Sequence, residues 1–125
     1  MKFYLPRLLA CFIFFPIASI ADSVAQEDVR ALANTVTRQD LQMNCPSRFL
    51  EIHMEATSSE QAGMAIVKWF WMVDPEFLKR AAQTTSDPSA WGVYLGDTFR
   101  RYCEQQPQVN VRTAVKQAIV FMESG

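Results

Sequence analysis

Apolar residues recur along this chain at the three-to-four-residue spacing of helices, and prolines cut them into segments. Val24 to Gln42 carries Val29, Leu32, Ala33 and Val36 on one face, with Gln26, Glu27 and Asp28 at its N-terminal end, where acids suit the helix dipole. This pattern predicts a first helix over Val24 to Gln42. Asn44-Cys45-Pro46 breaks it and starts the next, with Asn44 as N-cap and Pro46 in the first turn, where a missing N–H costs nothing. That second, short helix presents Phe49, Leu50 and Ile52.

Thr57-Ser58-Ser59 opens a third helix, in which Ser58 and Gln61 have capping-box spacing. Its stripe is Ala62, Ala65, Ile66, Trp69, Phe70 and Val73. Asp74-Pro75-Glu76 ends it and begins another turn or two through Phe77, Leu78 and Ala81. After a loop at Thr84 to Pro88, Asp87 before Pro88 is a strong helix start. The helix from Pro88 to about Gln105 aligns Trp91, Tyr94, Leu95, Thr98, Phe99, Tyr102 and Cys103. Gln106-Pro107 stops it, and Val109 to Met122 forms a last amphipathic helix with Val111, Val115, Ala118 and Ile119. No strict alternation and no Asn-Gly or Asp-Gly hairpin signal interrupts this sequence of helices. The expectation is an all-α fold of about five helices. The helices bearing Trp69 and Trp91 are expected to pack on each other, and Phe49, Leu50, Leu95, Phe99 and Ile119 to complete the core.

The start of the chain sets the expected compartment. Lys2 and Arg7 supply a positive region, Leu8 to Ile20 is apolar apart from Ser19, and Ser19-Ile20-Ala21 offers small residues to a signal peptidase. The run is too short, and too interrupted by Pro16, for a spanning helix, which needs about 20 apolar residues. This predicts a signal peptide over residues 1–21, a single helical domain over 22–125, periplasmic location and no stable membrane anchor after cleavage. Losing Lys2 and Arg7 leaves ten basic residues against thirteen acids, a net −3 with His53 neutral. No Lys/Arg cluster is available to neutralise a phosphate backbone, so nucleic acid is not an expected partner.

Cys11 leaves with the signal, and two cysteines, Cys45 and Cys103, remain for an oxidising compartment. One bridge between them is the simple expectation. Closing a loop of about 59 residues is worth about 4 kcal/mol in the chain-entropy model. Free thiols as metal ligands lack partners: the only histidine is His53, and no CxxC or HxxxH spacing occurs.

Enzymatic chemistry needs a constellation of groups, which the chain does not offer. His53 reads as a helix-flank residue, Glu51 and Glu55 as an ordinary solvated i,i+4 pair, and neither a Gly-x-Ser-x-Gly turn nor a glycine-rich phosphate loop is present. The expectation is a non-enzymatic protein without cofactor or metal. The segment Lys68-Trp69-Phe70-Trp71-Met72-Val73 carries more apolar bulk than one helix face buries. A surface of Trp69, Phe70, Trp71, Met72, Val73 and Phe77 is therefore expected to meet a second copy or a client, residue types that such surfaces favour. Asp74 and Glu76 interrupt this patch and are the expected pH-sensing residues.

Three motifs stand in order along the chain: Met43-Asn44-Cys45-Pro46-Ser47-Arg48-Phe49-Leu50, the Trp-bearing helix at Ala65-Ile66-Val67-Lys68-Trp69-Phe70, and Arg101-Tyr102-Cys103-Glu104-Gln105-Gln106-Pro107. The first resembles the Thr-Cys-x-x-Phe-Leu opening, and the last the Tyr-Cys-x-x-x-Pro run, of the HdeA/HdeB family of periplasmic acid-stress chaperones. The segment before Cys45 is longer than the family's, and the C-terminus lacks a lysine-rich tail. The resemblance implies a one-disulfide helical fold that is a homodimer near neutral pH. It further implies that acid converts this fold to a form binding unfolded periplasmic proteins through an exposed apolar surface. Near pH 2 the side-chain charge moves from −3 to about +11 by reference pKa values, which would keep opened chains and bound clients apart. The competing expectation is a non-enzymatic envelope binding protein, such as an immunity protein that blocks a secreted toxin.

Overall fold

Among the described residues of the computed structural model, five α-helices of ten residues or more follow one another: α1 (Cys45–Glu55), α2 (Ser59–Val73), α3 (Pro75–Thr84), α4 (Pro88–Gln105) and α5 (Val111–Ser124). The structure describes residues 28–124; the signal peptide expected over 1–21 lies outside them. No strand occurs among the described residues, only an isolated antiparallel bridge between Asn44 and Asn110. The fold is all-α.

Each helix start is fixed by a short polar side chain that satisfies a backbone N–H otherwise left without a partner. The acceptors are Asn44 for Ser47 N–H (3.0 Å), Ser58 for Gln61 (3.2 Å), Asp74 for Phe77 (3.1 Å), Asp87 for Ala90 (3.2 Å) and Asn110 for Thr113 (2.8 Å). The capping-box return bond lands one residue early, from Thr57 N–H to Gln61 Oε1 at 2.9 Å. The starts of α1 and α5 are also tied together. Cys45 N–H donates to the Val109 carbonyl (2.7 Å), Val111 N–H to that of Met43 (3.0 Å), and the Asn44 amide to that of Pro107 (2.6 Å). This pairing explains why α5 begins at Val111 rather than at Val109 as the apolar spacing suggests.

The expected helix over Val24 to Gln42 is corrected by the structure. Residues 28–31 make one helical turn, and two short 3-10 helices, Ala33–Thr35 and Arg38–Gln42, follow it; Val24 to Glu27 lie outside the described residues. Asn34-Thr35-Val36-Thr37 is a run of poor helix formers. The Thr35 hydroxyl bonds back to the Leu32 carbonyl (2.7 Å), and Val36 and Thr37 turn extended. The irregular path buries Leu32, Ala33, Val36 and Leu41 together, and that burial outweighs the local hydrogen bonds a continuous helix would make.

The core is aromatic and centred on Phe99. Its ring lies 5.7 Å from Trp69, 5.9 Å from Phe70 and 5.9 Å from Phe49, while Phe77 bridges Phe70 (6.1 Å) and Trp91 (5.9 Å). Leu41, Ile52, Leu95, Val111, Val115 and Ala118 complete it. Cys45 and Cys103 are joined as a fully buried disulfide, with their Cα atoms 5.4 Å apart, clipping the start of α1 to the end of α4. Ile119 is buried and Phe49 half-buried as expected, but Leu50 is 60% exposed and Tyr94 lies outside the core. The buried stripe of α1 is Cys45, Arg48 and Ile52, which turns Leu50 to the outside.

Candidate functional site

The expected client or dimer surface is divided by the geometry of α2. At about 100° per residue, Ala62, Ala65, Ile66, Trp69 and Phe70 occupy one arc and Trp71 stands roughly opposite Trp69. Trp69 and Phe70 are fully buried in the core, and Phe77 on α3 is buried against Phe70, so these three do not form a surface in the folded molecule. Met72 and Val73 are partly covered, and only Trp71, at 54%, is exposed. The residues named as pH-sensing have local duties. Asp74 caps α3 and approaches Arg80 at 3.9 Å, and Glu76 pairs with Lys79 at 3.3 Å on the surface. Arg80 in turn holds Glu123 at 2.9 Å and so links α3 to α5.

Hydrophobic patterning passes over the most unusual electrostatic feature of the molecule. Asp40 and Arg48 are 6% and 9% exposed and form an ion pair of 3.3 Å through Asp40 Oδ2. The same oxygen accepts the indole N–H of Trp69, also at 3.3 Å. On its other side the Arg48 guanidinium meets Glu51 (3.5 Å) and Glu55 (3.7 Å), whose side chains are half-exposed. Arg48 Nε is buried with no partner among the described residues. The Asn44-Cys45-Pro46-Ser47-Arg48 start places this arginine one turn inside α1, on the same face as Cys45 and Ile52. A basic residue at a core-facing helical position is the sequence signal that such a pair exists.

A second feature lies between α1, α2 and α4. There an open groove of about 760 Å³ runs between walls that include Phe49, Ile66, Val67 and Val93. Gly63 on α2 and Gly92 and Gly96 on α4 also line it, and a Cβ built on any of the three meets nothing within 4 Å among the described residues. Each of these helical glycines forfeits about 1 kcal/mol relative to alanine, and none has a positive φ that would require glycine. His53, Glu60, Asp97 and Arg100 stand on the rim. His53 Nδ1 lies 3.0 Å from the Phe49 carbonyl and its ring packs 4.3 Å from that of Phe49, as suits a helix-flank histidine. The Asp97 carboxyl is held below the usual carboxylate range, first by its 2.6 Å hydrogen bond from Arg100 and then by the positive charges of Arg100 and Arg101.

Chemically the groove offers apolar contact with a few polar fixing points, the make-up of a binding site. Among the described residues, no cluster of three or more His, Cys, Asp or Glu is placed to hold a metal ion. None of the described helices is long and apolar enough to cross a membrane. Compared with known proteins, the chain matches no family model, no curated protein and no solved structure.

Proposed function

We propose that this protein is an exported, HdeA/HdeB-like acid-stress chaperone that holds unfolding periplasmic proteins through apolar surface. The observation that carries the reading is the glycine-lined apolar groove between α1, α2 and α4. Phe49, Ile66, Val67 and Val93 make its lining largely apolar, with His53, Glu60, Asp97 and Arg100 as the polar groups beside them. Exposed Leu50 and Met54 on α1, Val93 on α4 and Trp71 on α2 add apolar contact points beyond what folding of the chain itself uses. The acid dependence comes from the resemblance, together with the swing to a high positive charge as thirteen acids are neutralised. Near neutral pH the same apolar points are the proposed contacts of a homodimer.

Light scattering of a denaturing client, with and without the protein, at pH 2–3 and at pH 7, tests this reading. Suppression of aggregation in acid alone is the expected result. The preformed groove also favours the second reading, an envelope binding protein such as an immunity protein. Tight one-to-one capture of a single partner at pH 7, with no protection of clients in acid, would establish that alternative.

A further inference from the structure

Residues 28–42 precede the disulfide loop and lie against α2 without being part of it. Leu32, Val36 and Leu41 press them onto the core, and two polar contacts fix their ends. The Gln61 amide donates to the Asp28 carbonyl at 2.6 Å, and Asp40 receives both the Trp69 indole and Arg48. The Asp40 contact is the unusual one. Every ion-pair partner of Arg48 among the described residues is a carboxylate: Asp40 on the 3-10 helix, and Glu51 and Glu55 on its own helix. From α2 comes only the uncharged indole, and α5, which also packs on residues 38–42, places no charged group within pairing distance of either partner. Arginine keeps its charge at any pH the protein meets. Protonating the three carboxylates therefore leaves a guanidinium nine-tenths buried, its Nε already without a partner, and with no counter-charge. A buried charge in that state is costly and is relieved by reaching water.

We propose that residues 28–42 are an acid-released flap, latched by Asp40 to Arg48 and Trp69, which on opening uncovers the indole edge of Trp69 and the side of α2 that residues 28–42 cover. The disulfide fixes α1 to α4, so the stretch outside the loop is the part free to lift. This inference deepens and rests on the acid-chaperone reading, because it adds Trp69 in acid to the apolar surface that a client would meet. It also gives Trp69 a way to serve as a binding residue although it is buried in the closed molecule.

The test uses the oxidised protein with Trp71→Phe and Trp91→Phe, leaving Trp69 as the sole tryptophan. Acrylamide quenching and helix content by circular dichroism are followed from pH 7 to pH 2. Quenching is expected to rise several-fold as pH falls while most helix content remains. Asp40→Asn should shift that rise toward higher pH by about one unit or more. Arg48→Met together with Asp40→Asn removes both charges of the latch and should suppress the rise, whereas Arg48→Met alone leaves the buried Asp40 carboxylate unpaired at pH 7. The double variant keeps the test valid if Asp40→Asn alone fails to fold. Quenching that stays flat to pH 2 in the parent, a midpoint of the Asp40→Asn/Arg48→Met double variant equal to that of the parent, or exposure coincident with loss of all helix would each overturn the flap. Opening without protection of a client keeps the flap and removes the chaperone reading; protection in acid with Trp69 still buried does the reverse.

Discussion

The indole of Trp69 donates to the carboxylate of Asp40 at 3.3 Å across twenty-nine positions of sequence, and Asp40 holds Arg48 with the same oxygen. One carboxylate thus joins a 3-10 turn, α1 and α2 at the edge of an aromatic core. Asp40→Ala removes the only buried counter-charge of Arg48 among the described residues and is expected to destabilise by about 3–5 kcal/mol, the range for a broken buried pair. Replacing both residues by apolar ones, Asp40→Leu with Arg48→Met, should cost much less than the sum of the single changes. Urea unfolding at pH 7 of the four proteins in this double-mutant cycle measures the coupling. Additive losses would show that the pair contributes nothing beyond its separate packing.

The Cys45–Cys103 bridge ties α1 to α4 across 58 positions. Native protein should resist alkylation, and reduction should expose two thiols by intact mass. Cys45→Ala with Cys103→Ala is expected to lose about 2–5 kcal/mol, the usual effect in a small exported domain.

Phe99 touches three other aromatic rings and is fully buried. Phe99→Ala should cost about 3–5 kcal/mol. Leu50, which apolar spacing assigns to the core but which stands in solvent, should tolerate alanine within about 0.5 kcal/mol. Thermal or urea unfolding of the two variants separates them directly.

The contrast between Phe99 and Leu50 shows what was legible in the sequence. Caps and prolines are local signals, so Asn44, Ser58 and Asp87 announced their helices, and two cysteines in an expected oxidising compartment announced one bridge. Long, strongly periodic segments such as α4 were equally clear. What is decided by tertiary contact was hidden. The stretch before Cys45 follows the core rather than its own helical period. Phe77, which reads with Trp71 and Met72 as surplus bulk, is buried, because the depth of the core cannot be read from one helix face. Arg48 faces inward because Asp40 waits there, and pairing across a turn leaves no periodic trace.

Asp97 on the groove rim has its carboxyl depressed chiefly by the Arg100 hydrogen bond. A depressed folded-state value means that the pair favours folding above the ordinary carboxylate range. That contribution fades as pH falls through the lowered value. Carboxyl-carbon NMR titration should place Asp97 below an ordinary aspartate, and Arg100→Gln should move it upward. An unchanged titration in Arg100→Gln would assign the shift to another source.

The glycines of the groove provide the sharpest separation of stability from function. Gly92 and Gly96 are helical, have room for a side chain and need no positive φ. Folding alone would therefore prefer alanine, and Gly92→Ala or Gly96→Ala should each stabilise by about 0.4–1 kcal/mol. Glycine at these positions is accounted for if a bound segment approaches the α4 backbone closely. Gly96→Leu then becomes the informative variant: leucine is a good helix former, so the fold should hold, while its side chain occupies the groove. Suppression of client aggregation at pH 2–3 should fall several-fold, with circular dichroism and urea stability at pH 7 unchanged or improved. A Gly96→Leu protein that protects clients as well as the parent would move the binding surface away from the groove. The Trp69 side of α2 beneath the flap would then be left as the site of capture.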